Sequence, residues 1–227
     1  MAALFITGTG TGIGKTFVTA GLVRHLREIG LVVDAVKPVL SGFEDGAAAE
    51  SDAGILAAAL GRTANACEIP RIAPFRFKAA LSPDMAAKAE GKTLDFDALL
   101  RFSRSMLKYI PDALLIEGVG GVMSPLTERH TVLDWMAALR LPTLLVAGSY
   151  LGTISHTLTA VAVLKERGLN IGAIVVSESE DSTVPLNDTV DDIGRFVPEV
   201  PVVALRRLRG GETDPAFARL ADLFWPR

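Results

Sequence analysis

The run Gly8-Thr9-Gly10-Thr11-Gly12-Ile13-Gly14-Lys15-Thr16 constrains this chain more than any other stretch. It follows the apolar residues Leu4, Phe5 and Ile6 after the single residue Thr7 and directly precedes a helical pattern. A strand that feeds a glycine-rich turn and then a helix forms a phosphate cradle. Amides of the turn point inward, and the helix start adds partial positive charge. Lys15 can reach the outer phosphates, and the Thr16 hydroxyl can sit on Mg2+. Gly8, Gly12, Ile13, Gly14, Lys15, Thr16 and Phe17 are therefore candidates for binding a nucleoside triphosphate. The usual spacing, G-x-x-x-x-G-K-[ST], would put glycine at Thr9, so here the loop is one residue longer or its first glycine is displaced.

The chain has 227 residues, 49% of them hydrophobic and 6% aromatic. That length suits a single α/β domain over residues 1–227. Alanine- and valine-rich apolar runs suit a parallel sheet covered by helices. A net charge of −3 gives no general attraction to nucleic acid. The one basic cluster, Arg206, Arg207 and Arg209, is short and reads as a solvated loop. Cys67 is the only cysteine. It excludes an intrachain disulfide, reads as a buried inert thiol and points to a reducing cytoplasm. No apolar run approaches the roughly 18 residues of a membrane span. The N-terminus enters a strand without a basic leader, so no signal peptide is expected. Three scattered histidines lack zinc-site spacing.

Apolar runs alternate with helical patterns, which argues for a doubly wound, mostly parallel sheet with helices on both faces. Strands are predicted at 4–7, 31–36, 113–116, 143–147 and 171–176, with an edge strand at 200–205. Helices are predicted at 16–29 (closed by Gly30), 51–60 (followed by Gly61), 83–90 and 96–109, the last behind an Asp95 N-cap. Three more follow at 131–139, 154–167 (closed by Gly168) and 216–224, while the acidic stretch 178–192 reads as loop.

Ligands collect at the carboxyl ends of the strands in such a sheet. Lys37 ends the second strand, with Pro38 and the polar turn Ser41-Gly42 beyond it. Alone, Lys37 reads as an exposed strand-end lysine; beside the phosphate loop it is a candidate to stabilise charge developing during phosphoryl transfer. Glu117 ends the buried run 113–116, where a carboxylate must bind metal or pair with a cation. Gly118, Val119, Gly120 and Gly121 follow, and the glycines allow close backbone approach. Asp52 opens a short helix and reads equally as an N-cap or a metal ligand.

Six segments then occur in order: GTGTGIGKT, Lys37-Pro38-Val39-x-Ser41-Gly42, Ser51-Asp52-Ala53, Ser82-Pro83, Glu117-Gly118-Val119-Gly120-Gly121 and Leu151-Gly152-Thr153-Ile154-x-His156. Over residues 4–176 this series resembles the dethiobiotin synthetase family. The resemblance implies a P-loop NTPase-like homodimer using ATP and Mg2+. Its reaction converts 7,8-diaminopelargonic acid and CO2 or bicarbonate to dethiobiotin, ADP and phosphate. By the same resemblance, Lys15 and Lys37 neutralise the transferring phosphoryl group, while Thr11 and Ser41 position phosphate and carbamate. Thr16, Asp52 and Glu117 hold Mg2+, and Gly118, Val119 and Gly120 join the nucleotide site. Leu151, Gly152, Thr153 and Ser155, at a helix start, receive the substrate's distal carboxylate across the dimer interface; ordinary N-capping by Thr153 is the alternative.

The chain also departs from that pattern. Ser177 stands where the family carries an asparagine that reads the base, and Leu205-Arg206-Arg207-Leu208 replaces a proline-rich base-side segment. These changes leave the choice of triphosphate open, with ATP expected. Ser155 replaces an asparagine and Asp84 a histidine. Two other classes share the phosphate loop: cobyrinate-type amide synthetases and partner-regulated ATPase switches of the ParA and MinD kind. Cys67 lacks the glycine elbow of a glutaminase nucleophile. Thr9-Gly10-Thr11 lacks the switches' extra lysine, and residues 216–227 make a poor membrane anchor.

Overall fold

Side chains of the first strand alternate between two apolar cores, as a period of two requires. Leu4 and Ile6 enter one core, Ala3 and Phe5 the other. The computed structural model describes residues 3–108, 111–180, 182–208 and 212–226, so Tyr109 of the predicted helix and Arg209 of the basic cluster lie outside the described residues.

The first half of the chain runs β1 (Ala3–Gly8), α1 (Lys15–Glu28), β2 (Val33–Val36), β3 (Val39–Ser41), α2 (Asp52–Ala59), α3 (Glu68–Ile72), β4 (Phe75–Phe77), α4 (Pro83–Ala89) and α5 (Phe96–Met106). The second half runs β5 (Ala113–Glu117), α6 (Val132–Leu139), β6 (Thr143–Gly148), α7 (Thr153–Glu166), β7 (Ile171–Ser177), α8 (Leu186–Phe196), β8 (Val202–Leu205) and α9 (Pro215–Phe224). Six strands form a parallel sheet in the order β2-β5-β1-β6-β7-β8, and β3 and β4 form a separate parallel pair. One core lies under α1, α2, α3 and α9; the other lies under α4 to α8. The order places β1 between β5 and β6, so the phosphate loop leaves the middle of the sheet.

Helix boundaries follow local chemistry. Asp95 Oδ1 accepts from the Ala98 N–H, capping α5 as its sequence predicts. Thr131 and Asp134 form a capping box at the start of α6. Gly21 on α1 lies against Phe217 of α9, and a Cβ there would come within 2.1 Å of the ring. That closeness lets the last helix seat directly on the first.

Two expectations are corrected, and two short strands were not foreseen. Residues 186–196 form α8 rather than loop. Its inward positions Thr189 and Ile193 are buried, while Asp188, Asp191 and Asp192 make the stretch read as polar. The strands β3 and β4 escape sequence reading because each has three residues, too few to show a period. Cys67 is exposed rather than buried, because it precedes the short helix α3 on the surface.

Candidate active site

The loop between β1 and α1 is fixed at its β1 root from both neighbouring strands' sides. The Val122 N–H donates to the Gly8 carbonyl at 3.0 Å, and the Thr9 N–H donates to the Val146 carbonyl at 3.0 Å. Helix α1 starts behind Gly14, whose φ of 91° lies in the left-handed region, and no side chain caps it. The amides of the first helical turn are thus left to an anion. They open onto a cavity of about 470 Å3 lined by Thr11, Gly12, Gly14, Lys15, Thr16, Phe17, Lys37, Ser41, Asp52, Val119 and Gly120, among others. The carboxyl ends of β2 and β5 deliver Lys37 and Glu117 to the same place, as the strand order dictates.

The charged side chains here form one network. Lys37 Nζ donates to Glu117 Oε1 at 2.9 Å and to Thr16 Oγ1 at 3.3 Å, and it pairs with Asp52. Thr16 Oγ1 donates to the same Glu117 oxygen at 2.7 Å. Glu117 is fully buried and Lys37 is 5% exposed, so the lysine is not the exposed strand-end residue that its position alone suggests. Burial opposes the Lys37 charge, but Glu117 and Asp52 outweigh it and hold its pKa above the usual lysine value. Lys15 differs. Burial, reinforced by the Lys37 charge, lowers its pKa to about 8 despite the attraction of Glu117 and Asp52. Its ammonium turns back onto the Gly10 carbonyl at 2.6 Å.

The cap of α2 is Ser51, whose Oγ accepts from the Gly54 N–H, so Asp52 is free of that task and faces Lys37. Thr16 Oγ1 and the carboxylates of Asp52 and Glu117 make a hard-oxygen donor set. The buried Glu117 Oε2 has no hydrogen-bond partner among the described residues. Such a set fits Mg2+, which takes few protein ligands and keeps waters and phosphate oxygens. Ser41 Oγ is likewise buried and unpaired.

A second cavity of about 330 Å3 continues past the loop, lined by Gly12, Ile13, Gly14, Phe17, Ser177, Glu178, Arg207 and Leu208, among others. Gly12, Gly14 and Phe17 border both cavities. Gly118 sits behind the loop, its N–H donating to the Ile6 carbonyl at 2.8 Å.

Leu151, Gly152, Thr153 and Ser155 do not line either cavity. Gly152, not Thr153, is the N-cap of α7. Thr153 is buried, with its hydroxyl on the Gly148 carbonyl at 2.6 Å and its N–H on the Tyr150 carbonyl at 3.0 Å. Neither Thr153 donor therefore faces outward, contrary to the expectation that its amide meets an anion. Ser82, of the Ser82-Pro83 segment, lines the larger cavity, and so does Ser124, a hydroxyl missed in the sequence. The Gly121 N–H donates to Ser124 Oγ at 2.7 Å, which ties the serine to the glycine run after Glu117. A serine three residues past such a run was the available signal.

A parallel sheet with a glycine loop at its centre, an uncapped helix and a strand-end acid defines the P-loop NTPase fold. Solved structures share it. A ParA family ATPase from Chlorobium tepidum TLS superposes with a TM-score of 0.53 at 13% identity, covering 98% of this chain and 92% of that one. The septum site-determining protein MinD from Pyrococcus horikoshii OT3 gives 0.52 at 20% identity, covering 88% and 78%. A family model described as an AAA domain matches residues 2–205. Sequence relatives are more specific. An ATP-dependent dethiobiotin synthetase BioD from Caulobacter sp. (strain K31) is 49% identical over 223 residues, covering 98% of this chain and 94% of the relative. Another, from Acidiphilium cryptum (strain JF-5), is 46% identical over 202 residues, covering 88% and 91%. The chain belongs to the ATP-dependent dethiobiotin synthetase family. The ParA and MinD likeness is one of fold.

Proposed function

We propose that residues 1–227 act as one nucleotide-binding and catalytic unit that carboxylates 7,8-diaminopelargonic acid and closes the ureido ring of dethiobiotin at the expense of ATP. One substrate amine captures CO2 as a carbamate. A carbamate oxygen attacks the γ-phosphorus and ADP leaves; the second amine then attacks the carbamoyl carbon and phosphate leaves. Little proton transfer is asked of the protein, so positioning and charge stabilisation supply most of the rate.

The amides of the first turn of α1 hold the phosphates, and Lys15 and Lys37 counter the negative charge of the transferring group. Thr11 and Ser41 orient phosphate and carbamate. Thr16, Asp52 and Glu117 would hold Mg2+, which would supply neutralisation of the triphosphate's negative charge. Gly118, Val119 and Gly120 wall the nucleotide, and Ser177 borders the base. The start of α7, with Leu151, Gly152 and Ser155, meets the distal carboxylate of substrate bound to a second copy. That arrangement makes the enzyme a homodimer, and its single free cysteine suits the cytoplasm. No described helix is long and apolar enough to cross a membrane.

One observation carries this reading. Two ammonium groups, the Asp52 carboxylate and an uncapped helix start line one cavity, with Glu117 buried against Lys37 and Thr16, in a chain of this family. The test is a coupled assay of dethiobiotin and phosphate with bicarbonate, Mg2+ and each of the four common triphosphates. Phosphate release should require both diaminopelargonate and bicarbonate. Release driven instead by DNA, lipid or a protein partner would overturn the proposal.

A further inference from the structure

Some positive charge is obligatory between Asp52 and Glu117. Their carboxylates approach a common point, Glu117 is fully buried, and two anions so placed repel each other strongly unless a cation lies between them. Lys37 supplies that cation. Its ammonium contacts three oxygens, Glu117 Oε1 at 2.9 Å, Thr16 Oγ1 at 3.3 Å and Asp52 Oδ2. These come from the same three residues that form the hard-oxygen set described above. An ammonium and a divalent ion cannot both take the centre of three oxygens, since like charges a few ångströms apart repel strongly in a buried site. The lysine has somewhere to go, because its side chain also lines the large cavity beside Lys15.

We infer that Lys37 and a divalent cation are mutually exclusive counter-ions for Thr16, Asp52 and Glu117, so that metal entering with the triphosphate displaces the ammonium into the phosphate cavity. Lys37 thus has two successive posts. It first keeps the metal donors assembled, and it reaches the phosphates only after metal has replaced it. Triphosphate without metal leaves the lysine latched. The inference rests on the proposed function for the identity of the metal donors.

Mn2+ alone, without nucleotide or substrate, is the probe, with free Mn2+ counted by electron paramagnetic resonance on the full chain. Lys37→Met should bind one Mn2+ at least about tenfold more tightly than the unmodified protein, because the competing charge is gone. Its melting temperature should rise on adding Mn2+ by more than that of the unmodified protein. Both gains should vanish in Lys37→Met with Glu117→Gln. Unchanged Mn2+ affinity in Lys37→Met, or a gain that persists in the double variant, overturns the inference. If Lys37→Met folds only with Mn2+, the exchange is supported directly. If neither it nor Lys37→Gln folds even with Mn2+, metal does not replace the ammonium and the inference fails. Dethiobiotin formation by the unmodified protein tests the underlying function separately, since the Mn2+ titration contains no substrate.

Discussion

Thr16, in the first turn of α1, donates its hydroxyl to Glu117 Oε1 at 2.7 Å, joining the phosphate loop to the end of a strand 101 positions away. Thr16→Val keeps the shape and removes the donor. It should lower stability by about 1–3 kcal/mol by under-satisfying a buried carboxylate, and weaken Mg2+-nucleotide binding at least about tenfold. Thr16→Ser should restore both. Thermal melts and calorimetric titration with a non-hydrolysable triphosphate read the two effects.

Lys15 carries a pH dependence of definite sign. Its folded pKa of about 8 lies below the ordinary 10.5, so between those values the unfolded chain holds more protons than the folded one. The contribution of Lys15 to stability is therefore fully present above about 10.5 and is lost as pH falls through about 8. A shift of this size corresponds to roughly 3 kcal/mol. Binding a triphosphate favours the charged form, so nucleotide should bind with proton uptake near pH 8. Calorimetry in buffers of different ionisation enthalpy measures that uptake, and Lys15→Met should abolish it.

Gly14→Ala faces two separable penalties. Its φ of 91° disfavours any side chain, and a Cβ there would lie 2.8 Å from Ser177 Oγ. The variant should lose about 1–3 kcal/mol and bind triphosphate more weakly. Adding Ser177→Gly should recover the part due to the contact and leave about 1–2 kcal/mol due to the backbone. Chemical denaturation of the two variants separates these contributions.

Away from the site, Trp135 is fully buried, stands edge-on to Phe5 at 4.8 Å and donates its indole N–H to Ser103 Oγ at 3.0 Å. Ser103→Ala leaves that donor unsatisfied at a cost of about 1–3 kcal/mol. The melting temperature should fall while the kinetic constants stay the same, because the contact lies between α5 and α6.

The sequence announced its sheet and phosphate loop for a physical reason: both rest on local signals. Apolar runs and glycines at 8, 12 and 14 are read within a few residues. The burial of Lys37 was not legible, because it arises from Asp52 and Glu117, which are distant in sequence and meet only through the strand order. Helix α8 hid behind its acidic face, although Leu186, Val190 and Ile193 carry a helical period. The engagement of Thr153 by Gly148 and Tyr150 depends on how the chain leaves β6, which no spacing encodes. Ser124 could have been found, because it lies just past the glycine run.

Because β1 is flanked on both sides, the cradle hangs from the middle of the sheet rather than from a border. The outer strand β8 is separated from it by β7 and β6. Arg207 and Leu208, which follow β8, nevertheless come back beside the loop, because they line the smaller cavity together with Gly12, Ile13 and Gly14. A change of side chain at Arg207 is therefore felt by the loop across open space, without passing through the three strand pairings that separate β8 from β1.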